Sequence, residues 1–191
     1  MKKNIIVSLK IFLIMALLVG IIYPLFIYGI SQLIFPNQAE GSIIKVGGKI
    51  IGSKLIGQKF NSDKYFWSRP SAIDYNPNPS GASNLSPTSA KLKRLYEERK
   101  GIFTRSNFIQ KTKTIPNEML FASGSGVDPH ISPQSAFLQV NRISNSRMFN
   151  KTQKEELIKL ITAFIEKPQI GFLGEYRINV LMLNLELDKI K

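Results

Sequence analysis

The 191-residue chain has no cysteine, one histidine and one tryptophan. The missing thiols exclude disulfides, thiolate nucleophiles and thiolate zinc sites, and leave the redox compartment open. Acidic residues are scarce as well: 13 Asp and Glu stand against 26 Lys and Arg, for a net charge of +13. The basic residues are scattered rather than clustered, which argues against a nucleic-acid-binding stripe. They fit a solvated surface or one facing anionic lipid. The longest absence is of charge itself, since no charged residue occurs from Ile11 to Ala39.

That uncharged stretch sets the class. Ile11 to Ile30 is apolar apart from glycine, proline and two tyrosine hydroxyls. Twenty helical residues rise about 30 Å, the thickness of a bilayer's hydrocarbon core. A cleaved signal peptide would carry only about 7–15 apolar residues before a small-residue cleavage site. Here the run is longer, and Asn37 occupies the position that a cut after Ala39 would need small. An uncleaved anchor is expected, with residues 1–10 as a cytoplasmic tail, 11–35 as a transmembrane helix and 36–191 as an extracytoplasmic soluble domain. Lys2, Lys3 and Lys10 precede the span, and Glu40 is the first charge after it, so the N-terminus stays inside. Pro24 should disturb the helix, because it cannot donate to the Gly20 carbonyl. One helix cannot enclose a pore, so in a transport system such a chain is an accessory.

The exported part reads as α+β with a small sheet and three or so helices. Ile43, Ile44 and Val46, then Ile50 and Ile51, flank Gly47-Gly48, a hairpin turn. Lys54 to Ile56, between Gly52 and Gly57, reads as bulged or short strand. Residues 61–87 have no period, yet hold Tyr65, Phe66, Trp67 and Tyr75. This segment is either a docking loop or a loop folded onto its own core. A charged helix over 88–100 should end at Gly101. A second should start with Ser132 as N-cap and Pro133 at its first position, carrying Ala136, Val140, Ile143 and Arg147. Thr152 to Glu155 matches a capping box before a third, which Pro168 should stop. Arg177 to Leu187 reads as a strand, with Leu181, Leu183, Leu185 and Leu187 on one face.

The densest run of unusual residues is Ala122 to Pro133. It packs Gly124, Gly126, Pro129 and Pro133 around Ser123, Ser125, Asp128, His130 and Ser132. Ser125, His130 and Asp128 are the residue types of a hydrolase triad, but the G-x-S-x-G elbow is absent. Asp128 and His130 offer at most two metal ligands, where a site needs three or four. A glycine-rich backbone running to a helix N-terminus suits an anion, yet no lysine follows to reach phosphates. The alternative is a tight turn that caps the Ser132 helix.

Several short motifs run along the chain in one order. They are Gly57-Gln58 with Phe60; Tyr65-Phe66-Trp67 with Arg69-Pro70-Ser71-Ala72; and Ser80-Gly81-Ala82-Ser83-Asn84. The Ala122–Pro133 run follows, with Gln139 and Arg142, and then Gly174-Glu175, Arg177, Asn179 and Asn184. This pattern closely resembles the C subunit of Kdp-type potassium-transporting ATPases, including the single N-terminal span.

The resemblance implies a non-catalytic accessory subunit of an ATP-driven, high-affinity potassium uptake pump in a bacterial plasma membrane. Its partners would be a channel-like potassium-translocating subunit and a P-type catalytic subunit. It would stabilise the complex and act as a catalytic chaperone that raises the catalytic subunit's ATP affinity. ATP belongs to the complex, and potassium is the transported ion, not one bound here. The nucleotide-associated residues would be Ser80, Gly81, Ser83 and Asn84, with Ala82 where the family's second glycine stands. Tyr65, Phe66, Arg69, Ser123, Gly124, Ser125, Gly126, Asp128 and His130 would serve partner docking or the architecture behind it. An external domain cannot touch cytoplasmic ATP, so the topology points to an indirect effect. The competing expectations are an anchored extracytoplasmic hydrolase using Ser125 and His130, and an anchored solute- or lipid-binding module.

Overall fold

The N-terminal span begins with an α-helix, α1 (Lys2–Leu17), widens into a π-turn at Leu18–Ile22 and resumes as α2 (Tyr23–Ile34). The computed structural model describes residues 2–110 and 112–190. Pro24 lies just past the π-turn, where Tyr23 N–H reaches back five residues to the Leu18 carbonyl. The disturbance expected at Pro24 takes this form: a wider turn re-pairs backbone groups around a residue with no N–H. Together Lys2–Ile34 make 33 residues with a mean hydropathy of 2.9 in their most apolar window, and none of that window is buried by the rest of the chain. The stretch is long and apolar enough to cross a membrane.

The chain divides into two compact units, one up to Ile51 and one from Gly52 onward. In the first, a single turn, α3 (Pro36–Ala39), follows the span. Strands β1 (Ile43–Val46) and β2 (Lys49–Ser53), whose last two residues belong to the second unit, then pair. Gly47 and Gly48 join them with φ of 56° and 79°. Both angles lie in the left-handed region, which a two-residue hairpin turn requires and glycine enters without a Cβ penalty.

The second unit is mainly helical: α4 (Ala90–Ser106), α5 (Pro133–Ser146), α6 (Lys151–Ala163) and α7 (Val180–Leu187). A two-residue strand, β3 (His130–Ile131), pairs antiparallel with β4 (Ile178–Asn179), His130 opposite Asn179 and Ile131 opposite Ile178. Ala136, Val140 and Ile143 of α5 share a core with Leu157 and Ile161 of α6 and with Val180, Leu183 and Leu187 of α7. Phe66, from the aperiodic stretch, is fully buried in the same core.

Ser132 caps α5 as expected, its hydroxyl accepting from Ser135 N–H. Four other local expectations are corrected. Helix α4 runs through Gly101 to Ser106. A mid-helix glycine costs about 1 kcal/mol, while burying Phe103 two residues beyond it recovers about 2 kcal/mol. The capping box before α6 is Asn150 with Gln153, not Thr152 with Glu155. Asn150 sits in extended backbone, so its side chain is free to reach Gln153 N–H. Helix α6 closes at Ala163, ahead of Pro168, and Lys54 to Ile56 is turn rather than strand.

The largest difference is at the C-terminus. Only Ile178–Asn179 is strand, and Val180–Leu187 is helix. The alternating leucines imitate a strand because α7 buries Val180, Leu181, Leu183, Asn184 and Leu187. A helix buried around most of its circumference shows no 3.6-residue period. Asn179, which interrupts the strand pattern, is the N-cap of α7, accepting from Met182 N–H.

Candidate functional site

Gly57 N–H donates to the Val127 carbonyl at 2.7 Å. The two backbones lie so close that a Cβ on Gly57 would come 2.5 Å from Asp128 O. This contact is one of several that tie distant segments to the Ala122–Pro133 turn. Ser123 N–H donates to Pro70 O and Gly81 N–H to Ser125 O, both at 3.0 Å. Gly126 has φ of 73°, and a Cβ there would lie 2.5 Å from the Ile73 side chain and 2.7 Å from Gly81 O. Close approach, not loop flexibility, explains these glycines.

Asp128 is the charged centre of the turn. Arg69 Nη1 donates to its Oδ2 at 2.7 Å, and His130 N–H donates to its Oδ1 at 2.9 Å. His130 Nδ1 stands 3.5 Å from Oδ1. Burial alone would raise this carboxyl; the His130 hydrogen bonds and the Arg69 guanidinium outweigh it and hold it down at about 2. Downstream, Pro129 O accepts from Val180 N–H at 2.9 Å, and β3 pairs with β4. Glu118 then accepts from Ser132 N–H at 2.7 Å and from Ser135 Oγ at 2.6 Å. A carboxylate at the start of α5 also complements the helix dipole.

The Tyr65–Arg69 segment is held on its other side by Arg142, which is 2% exposed. Its Nη1 donates to Asp63 O at 2.7 Å and Tyr65 O at 3.0 Å, Nε to Asn107 Oδ1 at 2.9 Å and Nη2 to Gln139 Oε1 at 2.7 Å. The guanidinium carbon lies 4.1 Å from the Trp67 ring centroid. Burial lowers Arg142 to about 10, partly offset by Asp63, so it stays charged at neutral pH. Gln139 Oε1 also accepts from Trp67 N–H at 2.7 Å, and Asn184 brackets Phe66 at both its N–H (2.8 Å) and its carbonyl (3.0 Å). Tyr65 donates to Asp188 Oδ2 at 3.1 Å, beneath Arg147.

The motif residues thus meet through the backbone. Arg69, Gly81, Ser123, Ser125, Gly126, Asp128 and His130 form one hub, and Phe66 belongs to the core. Ser80, Ser83 and Asn84 are exposed beside Gly81, and Gly124 is exposed at the tip of the turn. Ser125 Oγ accepts from Val127 N–H at 3.2 Å, and among the described residues no hydrogen bond joins it to His130. A cavity of about 520 Å³ opens beside the hub, lined in part by Arg69, Asp128, His130, Lys167, Tyr176 and Arg177. Its charges are mixed and largely paired: Arg69 with Asp128, and Arg177 with Glu166 at 3.0 Å. Sequence reasoning missed Glu118 and Asn107, single polar residues whose carboxylate and amide oxygens meet donors 14 or more positions away.

Comparison with known proteins places the chain in a family. The family model described as K+-transporting ATPase, c chain, matches residues 5–189. A protein of Leptospira interrogans named potassium-transporting ATPase KdpC subunit is 47% identical over 182 residues, covering 95% of this chain and 92% of its own length. Proteins with the same name from Caldanaerobacter subterraneus and Flavobacterium johnsoniae are 43% and 41% identical, over 96% and 99% of this chain and 94% and 100% of theirs. With the match running through the span, the Asp128 hub and the Arg142 node alike, the chain belongs to the KdpC family of potassium-transporting ATPase subunits.

Proposed function

We propose that this chain is a single-pass accessory subunit that stabilises a potassium pump and raises the ATP affinity of its catalytic subunit, with no active site of its own. The N-terminus lies in the cytoplasm and the soluble unit on the far side of the bacterial plasma membrane. Its partners are the pump's channel-like subunit and its P-type catalytic subunit, both implied by the family resemblance. The observation that carries this reading is the hub. Polar groups that could have served chemistry are spent on cross-linking loops: Asp128 on Arg69 and His130, Glu118 on the start of α5.

The effect on ATP is indirect. Within the Ser80–Asn84 run, Gly81 N–H is given to Ser125 O. A subunit that binds one pump conformer more tightly shifts the population towards it, and with it the affinity for any ligand of that conformer. Such couplings amount to about 5–150-fold in affinity. An exposed apolar tip is available for docking, with Ile170 82% and Phe172 74% exposed on the excursion between Glu166 and Arg177.

Two measurements test the reading. The pump assembled with the full chain should show a KM for ATP about tenfold lower than the pump without it; an unchanged KM removes the chaperone role. Because the chain has no cysteine, Ser125→Cys supplies a single label site. A membrane-impermeant maleimide should label it in intact cells; labelling in inverted vesicles alone would reverse the topology and reopen direct nucleotide contact.

A further inference from the structure

The β1–β2 hairpin offers apolar side chains on both faces and buries none of them fully. Pairing across the two-residue turn puts Ile43, Lys45 and Ile50 on one face and Ile44, Val46, Lys49 and Ile51 on the other. Ile43, Val46 and Ile50 are 47%, 52% and 66% exposed. An isolated two-stranded hairpin is marginally stable at best in water and needs a surface to pack against. Within Gly41 to Gly52 the only charged residues are Lys45 and Lys49.

The connection to the span identifies what covers it. Helix α2 ends at Ile34 and β1 starts at Ile43. The residues between are folded back on themselves: Ala39 N–H bonds Phe35 O at 2.9 Å, Glu40 N–H bonds Pro36 O at 3.0 Å and Ser42 N–H bonds Asn37 O at 2.7 Å. Eight residues in helical turns rise about 12 Å at most, against a headgroup layer of roughly 5–8 Å on each side of a bilayer. The hairpin therefore emerges within a few ångströms of the headgroup surface, near enough for its strands, at about 3.3 Å per residue, to lie back onto it. There an apolar strand residue can reach the acyl boundary while a lysine stem lets its ammonium meet a phosphate.

From this geometry we infer that the Ile43–Ile51 hairpin is an interfacial lipid-binding element, laid on the leaflet next to the transmembrane helix and selective for anionic phospholipid. The apolar side chains supply the depth, and Lys45 and Lys49 supply the preference for negative headgroups. The inference needs the span to cross a bilayer but holds whichever side carries the soluble unit, so its failure is separable from failure of the topology.

The test uses the full chain, with Ile50→Cys carrying a polarity-sensitive fluorophore, reconstituted into phosphatidylcholine vesicles with and without phosphatidylglycerol. Some lipids carry bromine near the top of the acyl chain, and these quench from either leaflet. The label should be quenched by bromolipid, shielded from aqueous iodide, and more so with phosphatidylglycerol. Lys45→Glu with Lys49→Glu should lower the lipid-engaged equilibrium about fivefold per lysine. A label at Val46→Cys repeats the measurement at a second site, and the same fluorophore on free cysteine reports non-specific dye partitioning. Quenching by iodide but not bromolipid overturns the inference, as does equal bromolipid quenching of the free-cysteine dye. In the assembled pump, shielding from both quenchers would mean that protein covers the hairpin, and would overturn it too.

Discussion

Arg69 and Asp128, separated by 59 positions in sequence, meet through a charge-assisted hydrogen bond of 2.7 Å, with each side chain about three-quarters buried. The pair fastens the aromatic segment to the glycine turn. Because Asp128 also accepts from His130 N–H, one carboxylate fixes a neighbouring segment and the entry to β3 together.

The depressed acidity of Asp128 makes this junction sensitive to acid. Its carboxyl sits at about 2 when folded, below the roughly 3.9 of an unfolded chain. Its contribution is complete above the unfolded value and is lost as pH falls from about 4 towards 2. The gap corresponds to about 2–3 kcal/mol. Denaturant titrations of the full chain at several pH values should show this acid limb, and Asp128→Asn should flatten it.

If the hub supports the docking surface, weakening it should reach the pump. Arg69→Met and Asp128→Asn should each reduce co-purification of the other pump subunits. Intact assembly in both variants, with the chain itself folded, would separate the hub from docking.

Arg142 holds more partners than any other side chain described here. Arg142→Met should cost about 3–5 kcal/mol, because it strips donors from the Asp63 and Tyr65 carbonyls and from the Asn107 and Gln139 side-chain oxygens. Lysine should not rescue it, since a point ammonium cannot reproduce a planar fork stacked on Trp67. Trp67 is the only tryptophan, so its fluorescence reports the loss directly.

The glycines of the turn should behave unequally. Gly126→Ala should destabilise by about 2–4 kcal/mol, from left-handed backbone strain together with collision against Ile73 and Gly81. Gly124 has open space around its Cβ position, so Gly124→Ala should stay within about 0.5 kcal/mol of the parent. Equal effects at the two positions would refute the close-approach account.

What could be read from sequence follows from range. The span, the Gly47-Gly48 hairpin and the Ser132–Pro133 helix start rest on local physics: apolar length, a φ preference and a cap that reaches three residues. The in-order motifs also point to the family without any knowledge of the fold. Tertiary packing decided the rest. It carried α4 past Gly101 by burying Phe103, and it made a helix of Val180–Leu187 by surrounding its leucines. It also set Phe66 in the core rather than at a surface. Above all, only the folded chain brings Gly57, Arg69, Gly81 and Asp128 together. Backbone contacts between residues tens of positions apart leave no periodic trace in a sequence, because their register is set by the core that both segments pack against.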